Sequence, residues 1–270
     1  MTLYKEKKPS SSHKQQNIVE FDVGYFFFLS FFCFMIPFYV CLAIFLCYAY
    51  IFNSVLKISL EFQLLLLPGV LFFLYYVYLI LLIEIAALWT RRWNKRSPPK
   101  EGTFERDFTA LKNKTEMGKI LNYYHKRGFI IKYPMWLTSK SPFPWLVNRT
   151  LKRIGHNKIA KNVIYCDAYV GLEFTDIGEN TFIYPTSVLS SHEVNSIFGN
   201  LNILEIKLEK DNIIFPGTVV GPAAKTEEGN VFLPHSMLPK GWRGVEGKKF
   251  YQGTPTRPVE IELNNKKKKD

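Results

Sequence analysis

Histidine is the residue type in this chain best suited to proton transfer, because its unperturbed pKa lies near neutral pH. The sequence contains five histidines among 270 residues. His13 lies in a polar N-terminal stretch, and His125 and His156 precede the repetitive part of the chain. His192 and His235 fall inside that repetitive part. These two imidazoles are therefore the candidate general acids or bases.

His192 is the first candidate of the two. It lies in Ser190–Glu193, directly before an interruption of the repeat, and inserted loops commonly border binding sites. Glu193 could orient the imidazole, although neighbouring residues on a strand point to opposite faces. A structural histidine at a corner of the fold is the alternative for His192. His235, in Leu233–Ser236, is the weaker candidate for the same role.

The elements that must position these histidines are predicted by a six-residue period. Such a period is typical of a parallel β-helix, in which each hexapeptide makes one short strand and one corner, and three hexapeptides close one coil. The period predicts coils over residues 159–176, 177–194, 208–225 and 226–243, with an insertion over 195–207. An ordinary all-β domain with accidental spacing is the alternative. The predicted inward positions are Ile159, Tyr165, Gly171, Ile177, Ile183, Leu189, Leu208, Ile214, Val220, Thr226, Phe232 and Leu238.

The register of the repeat also predicts how the two histidines are related. Gly171 and Thr226 are its weak inward positions, since they supply little apolar core. His192 belongs to the third hexapeptide of its coil, and His235 belongs to the second of its own. They are predicted to lie on different faces of one prism and to meet only across a subunit interface.

Two long apolar runs near the N-terminus predict a membrane anchor. No charged residue occurs from Gly24 to Ile51, and Glu84 is the only one from Leu64 to Thr90. Each run exceeds the roughly 20 residues that a helix needs to cross a bilayer. A cleaved signal peptide is the alternative for the first run. The late start, the length and the lack of a small-residue cleavage site count against it.

Basic residues near the ends of the runs predict their orientation. Lysines precede the first run, and Arg91, Arg92 and Lys95 directly follow the second, whereas the connector carries only Lys57 and Glu61. The two runs therefore form a hairpin that leaves both termini in the cytosol.

The predicted domain organisation follows from these patterns. In the linker, a helix is predicted from Phe104 to Tyr124 and an extended connector from Ser141 to Trp145. The parts are a cytosolic N-terminal tail (1–23), a two-helix transmembrane hairpin (24–96), a linker with an amphipathic helix (97–150), the hexapeptide repeat (151–260) and a Lys-rich tail (261–270).

The net charge of +12 is concentrated beside the hairpin and in the C-terminal tail. That placement favours attraction to the anionic headgroups of a lipid bilayer, and no nucleic-acid partner is predicted. In a eukaryotic host the ending Lys267–Asp270 resembles a dilysine retrieval signal of the endoplasmic reticulum. A solubilising tail is the alternative.

Three features interrupt the apolar runs. Pro37 and Pro68–Gly69 could kink or cap their helices. Glu84 is an ionisable residue within a span, which by default suggests function. It precedes Arg91 by only about two helical turns. A structural role near the interface and a role in substrate passage or subunit contact are therefore both open.

Cysteines and histidines argue against a metal or disulfide framework. Cys166 is the one cysteine that follows the apolar runs, so no thiolate cluster is expected in the soluble part. A zinc-dependent carbonic anhydrase of β-helical fold needs three histidine ligands. The repeat holds two, so no metal site is predicted.

Two segments of the repeat region resemble the hexapeptide-repeat acyltransferase superfamily. Ile177–Asn180 is similar to the family repeat, and Gly253–Pro258 resembles its terminal segment. The order of two spans, a basic exit and Leu172–Gly178 resembles more narrowly the membrane-embedded terminal region of epsilon-poly-lysine synthetase-type peptide synthetases. That region carries six spans around three domains, which a homotrimer of this chain would rebuild. Amino-acid activation is not expected, because the adenylation and carrier domains are absent from the sequence.

The resemblance implies a fold and an activity. The implied fold is a membrane α-hairpin plus an all-β domain, a left-handed parallel β-helix with short flanking helices. The implied function is an acyl- or aminoacyltransferase in which His192 deprotonates a small-molecule amine or hydroxyl acceptor. The donor would be acyl-CoA or a carrier-linked thioester that is not tightly bound. A non-catalytic trimeric membrane scaffold is the alternative. Side chains that could contact donor phosphates, or simply close the end of the helix, are Lys240, Trp242, Arg243 and Arg257.

Overall fold

The computed structural model describes residues 23–105, 115–166, 168–171, 173–195 and 199–261. Residues 1–22 of the predicted N-terminal tail and 262–270 of the Lys-rich tail lie outside the described residues.

Two long antiparallel helices open the described chain. Helix α1 spans Val23–Tyr50 and continues into a π-helical turn at Ile51–Val55, and α2 spans Leu60–Arg96. Pro37 and Pro68 lie inside these helices without ending them. Both helices are long and apolar enough to cross a bilayer. The prediction of two long apolar helices is thereby confirmed.

Large apolar side chains cover the surface of both helices. On α1 they extend from Phe27 to Tyr50, and on α2 they are concentrated between Leu60 and Phe73. Beyond Phe73 most of the apolar side chains of α2 are buried or half-buried. The C-terminal half of α2 is therefore covered by protein.

Three shorter helices provide that cover: α3 (Glu116–Ile130), α4 (Lys132–Ser139) and α5 (Trp145–Arg153). Leu82 and Ile83 of α2 share one apolar core with Ile131 and Leu146. The ring of Phe143, between α4 and α5, lies 4.8 Å from the Tyr76 ring and 5.3 Å from the Phe72 ring. Burying such side chains stabilises the layer by about 1.5–3 kcal/mol each.

The linker departs from its prediction at both ends. The start of the helix predicted from Phe104 to Tyr124 is wrong, because Phe104 lies in strand β1 (Gly102–Glu105). Its second half is confirmed by α3, which begins at Glu116, and residues 106–114 lie outside the described residues. The Thr115 hydroxyl accepts the Gly118 N–H at 3.1 Å and caps the first turn of α3. The extended connector is also wrong at its end, since Trp145 begins α5.

Parallel strands follow, and they form three sheets. The first contains β2 (His156–Ile159), β5 (Glu173–Ile177) and β10 (Ile206–Leu208). The second contains β3 (Ile164–Tyr165), β6 (Phe182–Ile183), β11 (Ile213–Ile214), β13 (Val231–Phe232) and β15 (Phe250–Gln252), with β16 (Arg257–Val259) added antiparallel. The third contains β4 (Tyr169–Val170), β7 (Val188–Leu189), β12 (Val219–Val220) and β14 (Met237–Leu238).

The pairing register shows why these sheets stack. Ile214 pairs with Phe232, and Val220 pairs with Leu238, each one 18-residue coil later in the chain. We call the stack of coils from β2 to β16 the coiled β domain. Its inward residues form one core in which Ile177, Ile183, Leu189, Ile214 and Phe232 are 0% exposed. The predicted parallel-strand-rich β domain after two apolar helices is confirmed.

One inward position differs from the prediction. Val170, and not Gly171, pairs with Leu189, and its side chain is buried in the core. Gly171 lies one residue further on, where its N–H donates to the Leu189 carbonyl at 2.6 Å. A branched side chain fills the slot better than glycine, so the chain shortens one hexapeptide and shifts register in β5.

The stack also continues beyond residue 243, where the predicted coils end. Tyr251 pairs with Phe232 in parallel register, is 0% exposed, and lies with its ring 5.3 Å from the Phe232 ring. The last coil is therefore closed by an aromatic side chain that the six-residue period does not include.

The insertion is a β-hairpin. Strands β8 (His192–Asn195) and β9 (Asn200–Ile203) pair antiparallel, and β1 adds to the outer edge of β9. The Leu204 N–H donates to the Ser191 carbonyl at 2.8 Å and closes the base of the hairpin. The chain then re-enters the coiled β domain at β10.

Candidate functional site

His192 lies at a corner of the coiled β domain from which the β8–β9 hairpin departs. Because Leu189 aligns with Val220 and Leu238, His192 is equivalent to Ala223 and Gly241 in the following coils. Those later coils turn at this point with a left-handed residue, at φ +61° and +75°. The hairpin replaces that turn, so the His192 side chain faces a cleft and not a closed corner.

The cleft has a volume of about 220 Å³ and lies between α3 and the hairpin. It brings together two histidines, a lysine and two tyrosines from three parts of the chain. Its lining residues are Tyr124, His125, Gly128, Phe129, Lys132, Tyr169, His192, Val194 and Leu201. Concave sites of mixed apolar and polar lining are the usual places for small-molecule binding.

Aromatic contacts orient His192 within the cleft. Its ring lies 5.9 Å from the Tyr124 ring at 71°, and the His125 ring lies 5.4 Å from the same tyrosine ring. Burial lowers the pKa of His192 below its ordinary value, because desolvation disfavours the imidazolium. The imidazole is therefore neutral at pH 7 and has a lone pair that accepts a proton.

Glu193, the residue predicted to orient the imidazole, directly follows His192 in β8. Its residue is exposed and lies opposite Asn202 in the hairpin register. No hydrogen bond joins Glu193 to His192 among the described residues, as the alternation of side chains along a strand leads one to expect.

A buried ion pair holds α3 against the coiled β domain. Arg127 and Glu173 are only 4% and 3% exposed, and their side chains form two hydrogen bonds, the second joining Nη2 to Oε2 at 3.4 Å. Arg127 also donates to the Ser97 carbonyl at 3.3 Å, at the exit of α2. Since Tyr124, His125 and Gly128 flank Arg127 on α3, this pair positions one wall of the cleft.

His235 lies elsewhere, on a different corner. It is exposed and adopts φ +61°, and its backbone N–H donates to the Pro216 carbonyl at 3.0 Å. Its imidazole lies over Gly217, where a Cβ atom would come within 2.5 Å of His235 Nδ1. The two histidines are two coils apart, about 10 Å along the stack at roughly 4.8 Å per strand. One chain therefore does not bring them together.

The four side chains that were candidates for contact with donor phosphates fall into two groups. Trp242 packs on the core beside Phe232 and Tyr251, and its Nε1 donates to the Thr256 carbonyl at 3.2 Å. Arg243 donates to the carbonyls of Ala223, Gly241 and Trp242. Both side chains are thus engaged in closing the last coils, whereas Lys240 and Arg257 are exposed.

Glu84 is paired at the junction of α2 and α5. Its carboxylate accepts hydrogen bonds from Arg149 at 2.6 Å and from Arg153 Nε at 3.1 Å, and Arg91 lies 3.6 Å away. Charge-assisted contacts of this kind join the two helices. The structural interpretation of Glu84 is therefore favoured over a role in substrate passage.

Metal-ligating side chains are dispersed over the part of the chain that the structure describes. Within these residues no group of three His, Cys, Asp or Glu side chains is arranged to hold an ion. All four cysteines are free.

The residues of the cleft that carry no signal in the sequence include Tyr124 and His125 of α3 and Lys132 at the start of α4. His125 was set aside because it precedes the repeat, and Tyr124 and Lys132 carry no motif. The amphipathic pattern around them was the only available signal, and it could not reveal which element α3 would face.

Comparison with known proteins yields structural neighbours alone. No family model matches the sequence, and no curated protein matches it. Solved structures with a similar arrangement include a maltose O-acetyltransferase from Clostridium difficile 630, at 13% identity and a TM-score of 0.37, covering 51% of this chain and 86% of that chain. A hexapeptide-repeat-containing acetyltransferase from Vibrio cholerae O1 biovar eltor, complexed with acetyl coenzyme A, has 15% identity and a TM-score of 0.39, covering 53% and 88%.

A galactoside acetyltransferase in complex with coenzyme A is similar at 15% identity and a TM-score of 0.39, covering 50% of this chain and 80% of that chain. At such scores the description of the fold rests on the strand pairing of this chain itself. The order of the elements and the strand pairing together define a protein with an apolar helical hairpin, a helical layer and a coiled parallel β domain.

Proposed function

We propose that the chain is a membrane-anchored acyltransferase that modifies an amine or hydroxyl at the cytosolic face of a bilayer. The observation that carries this proposal is the placement of a half-buried His192 in a cleft at an opened corner of the coiled β domain. Burial also lowers the pKa of its imidazole, which favours the neutral form. A general base must lie where a substrate can reach it and must have a free lone pair at working pH. His192 meets both conditions.

The proposed chemistry is direct acyl transfer from a thioester. His192 removes the proton of the acceptor amine or hydroxyl, whose electron pair attacks the thioester carbonyl carbon. The tetrahedral intermediate then expels the thiolate as the C–S bond breaks, and the imidazolium returns its proton to that thiolate. The products are an amide or ester and a free thiol, with acyl-CoA or a carrier-linked thioester as donor.

A homotrimer is supported by the outward residues of the three sheets. The second sheet presents Ile164, Phe182, Ile213, Val231 and Phe250. The third presents Tyr169, Val188, Val219 and Met237. The first presents Lys158, Asp176, Lys207, Lys225 and Arg243.

Two apolar faces and one charged face suit a ring of three copies. Each copy would cover its two apolar faces with its neighbours and leave the charged face in water. The corner between the apolar faces carries His235 and would point to the three-fold axis. The corner carrying His192 joins an apolar face to the charged face, so its cleft would open beside a subunit interface.

The finer features of the fold belong to the same proposal. We take the coils to be left-handed, as the resemblance of the repeat implies, and the hairpins to cross the bilayer with both termini in the cytosol. Three hairpins would then form a six-helix bundle, the arrangement of the synthetase-type family. The exposed apolar side chains of α1 and of the first half of α2 support contact with lipid.

The test is an acyl-transfer assay on the full chain in lipid nanodiscs. Acyl-CoA thioesters are offered with water-soluble and lipid amines, and thiol release and acylated product are measured together. The variant His192→Gln should lose at least about 100-fold in rate, the typical worth of a positioned base. His156→Gln serves as the control, because His156 packs on Phe174 away from the cleft. Equal rates for wild type and His192→Gln would contradict the proposal.

A non-catalytic scaffold is the second candidate. The observation that favours it is that the apolar faces and the filled core of the coiled β domain need no catalytic residue. Intact trimers without acyl transfer from any offered thioester would support the scaffold.

A further inference from the structure

We infer that the acceptor is an amphiphile drawn from the cytosolic leaflet, with its head group in the cleft and its tail left in the bilayer. This inference rests on the proposed function and names the substrate class of the same site. It follows from where the cleft opens.

One lining residue of the cleft contacts the start of the apolar hairpin. Phe129, which lines the cleft, lies with its ring 4.5 Å from the ring of Phe26. Phe26 belongs to the first turn of α1, which begins at Val23. The inference places the mouth of the cleft beside Phe129, where a departing molecule meets the cytosolic end of the proposed membrane span.

Cations and aromatic rings surround that opening. Lys126 Nζ lies 5.1 Å from the centres of the Tyr25 and Tyr123 rings. Lys132 Nζ lies 4.7 Å from the centre of the Phe129 ring. Tyrosine and lysine are the residues that gather at the level of lipid headgroups, where apolar and hydrated zones meet. The opening is thus built for the membrane interface.

The surface beyond the opening suits an acyl tail. Phe27 and Phe28 are 76% and 58% exposed, and the apolar surface continues along α1. An exposed apolar patch of this kind promotes aggregation in water but is well solvated by the hydrocarbon of a bilayer. A tail lying on it would remain in contact with lipid while its head group entered the cleft.

Volume and charge limit what enters. The cleft has a volume of about 220 Å³, which is enough for a small polar head group. Lys132 lines the same cleft and matches a phosphate in that head group. His192 then meets the primary amine or hydroxyl at the end of the head group.

The first experiment measures binding independently of catalysis. The full chain is placed in nanodiscs that contain a photoactivatable phosphatidylethanolamine. The photoactivatable group of this lipid is attached to one acyl tail, close to the head group. Cross-linked peptides are mapped by mass spectrometry. The inference expects labelling within 124–132, 192–195 or 199–201. Phe129→Asp should reduce this labelling at least about tenfold, since a carboxylate at the opening repels lipid phosphate. Phe62→Ser, near the N-terminal end of α2, is the control and should leave the labelling unchanged. Labelling confined to 24–96 in the wild type would overturn it.

The second experiment separates this inference from the proposed function. Transfer from acyl-CoA is compared for phosphatidylethanolamine, for phosphatidylcholine, which lacks a free amine, and for water-soluble ethanolamine. Transfer to phosphatidylethanolamine at least about tenfold faster than to ethanolamine supports the inference. Transfer to ethanolamine alone would overturn the inference and leave the acyltransferase proposal standing. Transfer to neither, with no labelling of the cleft, would overturn both.

Discussion

Arg127 and Glu173 form an ion pair that is almost wholly removed from water and joins α3 to the coiled β domain. The two residues are 46 positions apart in the sequence. The pair fixes the distance between the helix that carries Tyr124 and His125 and the coil that precedes His192. The wall of the cleft thus depends on a contact between the repeat and a helix that lies outside it.

Removing one partner of this pair should strongly destabilise the fold. Arg127→Met leaves the Glu173 carboxylate buried without a partner, which costs about 3–5 kcal/mol. Thermal unfolding in detergent, followed by circular dichroism, should show a clearly lower midpoint. The double variant with Glu173→Leu should recover most of the loss. Lys210→Met, which breaks the exposed pair with Glu228, is the control and should change little.

Gly178 should not tolerate a side chain. A Cβ atom there would lie 2.5 Å from the Lys210 nitrogen and 2.6 Å from the Glu209 carbonyl carbon, both backbone atoms of the next coil. Gly178→Ala should therefore separate two coils and cost about 1–3 kcal/mol, as overpacking does. Gly69→Ala is the matched control, since no atom lies within 4 Å of its added Cβ. Similar unfolding midpoints for the two variants would contradict this explanation.

The pH dependence of transfer should reflect the lowered pKa of His192. Because burial keeps the imidazole neutral, the rate should hold its plateau to a pH below 6.5 before it falls in acid. Tyr124→Ser admits water to the ring and should move this acidic limb upward. If the acidic limb of the wild-type rate profile had its midpoint at or above pH 6.5, the result would contradict the burial of His192 as the cause.

The lowered pKa of His192 also predicts that the free energy of unfolding changes with pH. The folded state binds fewer protons than the unfolded state between the folded pKa and about 6.5, so the His192 contribution is complete above that window. Stability should fall as the pH drops through the window and then level off. His192→Gln should remove this part of the acid dependence, as measured by unfolding midpoints across the pH series.

The outward faces predict which substitutions break the assembly. Val219→Glu places a charge on an apolar face and should convert trimers to monomers, because burying an unpaired carboxylate is costly. Lys225→Glu changes the charged face and should leave the trimer intact. Native mass spectrometry of both variants distinguishes these results. A monomeric wild type would contradict the arrangement itself.

Loss of the Glu84 carboxylate should loosen the junction of α2 and α5. Glu84→Gln leaves three guanidinium groups close together without an anion. The groups are partly solvated, so the expected cost is about 1 kcal/mol. Limited proteolysis near Arg149 and Arg153 reports the loosening. Glu61→Gln, in the first turn of the same helix, is the control and should cleave like the wild type.

The sequence by itself determined the elements whose physics is local or periodic. Long apolar runs, with Glu84 as the one charged residue within them, identified both apolar helices, because the thickness of the hydrocarbon layer sets the residue count. The six-residue period identified the inward side chains from Ile177 to Leu238, because each coil must bury one residue per side. His192 stood out for the same reason, since it directly precedes the break in that period.

Only the tertiary structure decided what surrounds His192. Val170 replaced Gly171 in the core because packing favours a filled slot over a strict period. The insertion became a hairpin because β1, about 100 residues earlier, pairs with its outer edge. Arg127 and Glu173 look like solvated charges in the sequence, and only burial makes them partners. The cleft joins residues from α3, the coil and the hairpin, so no local pattern could predict it.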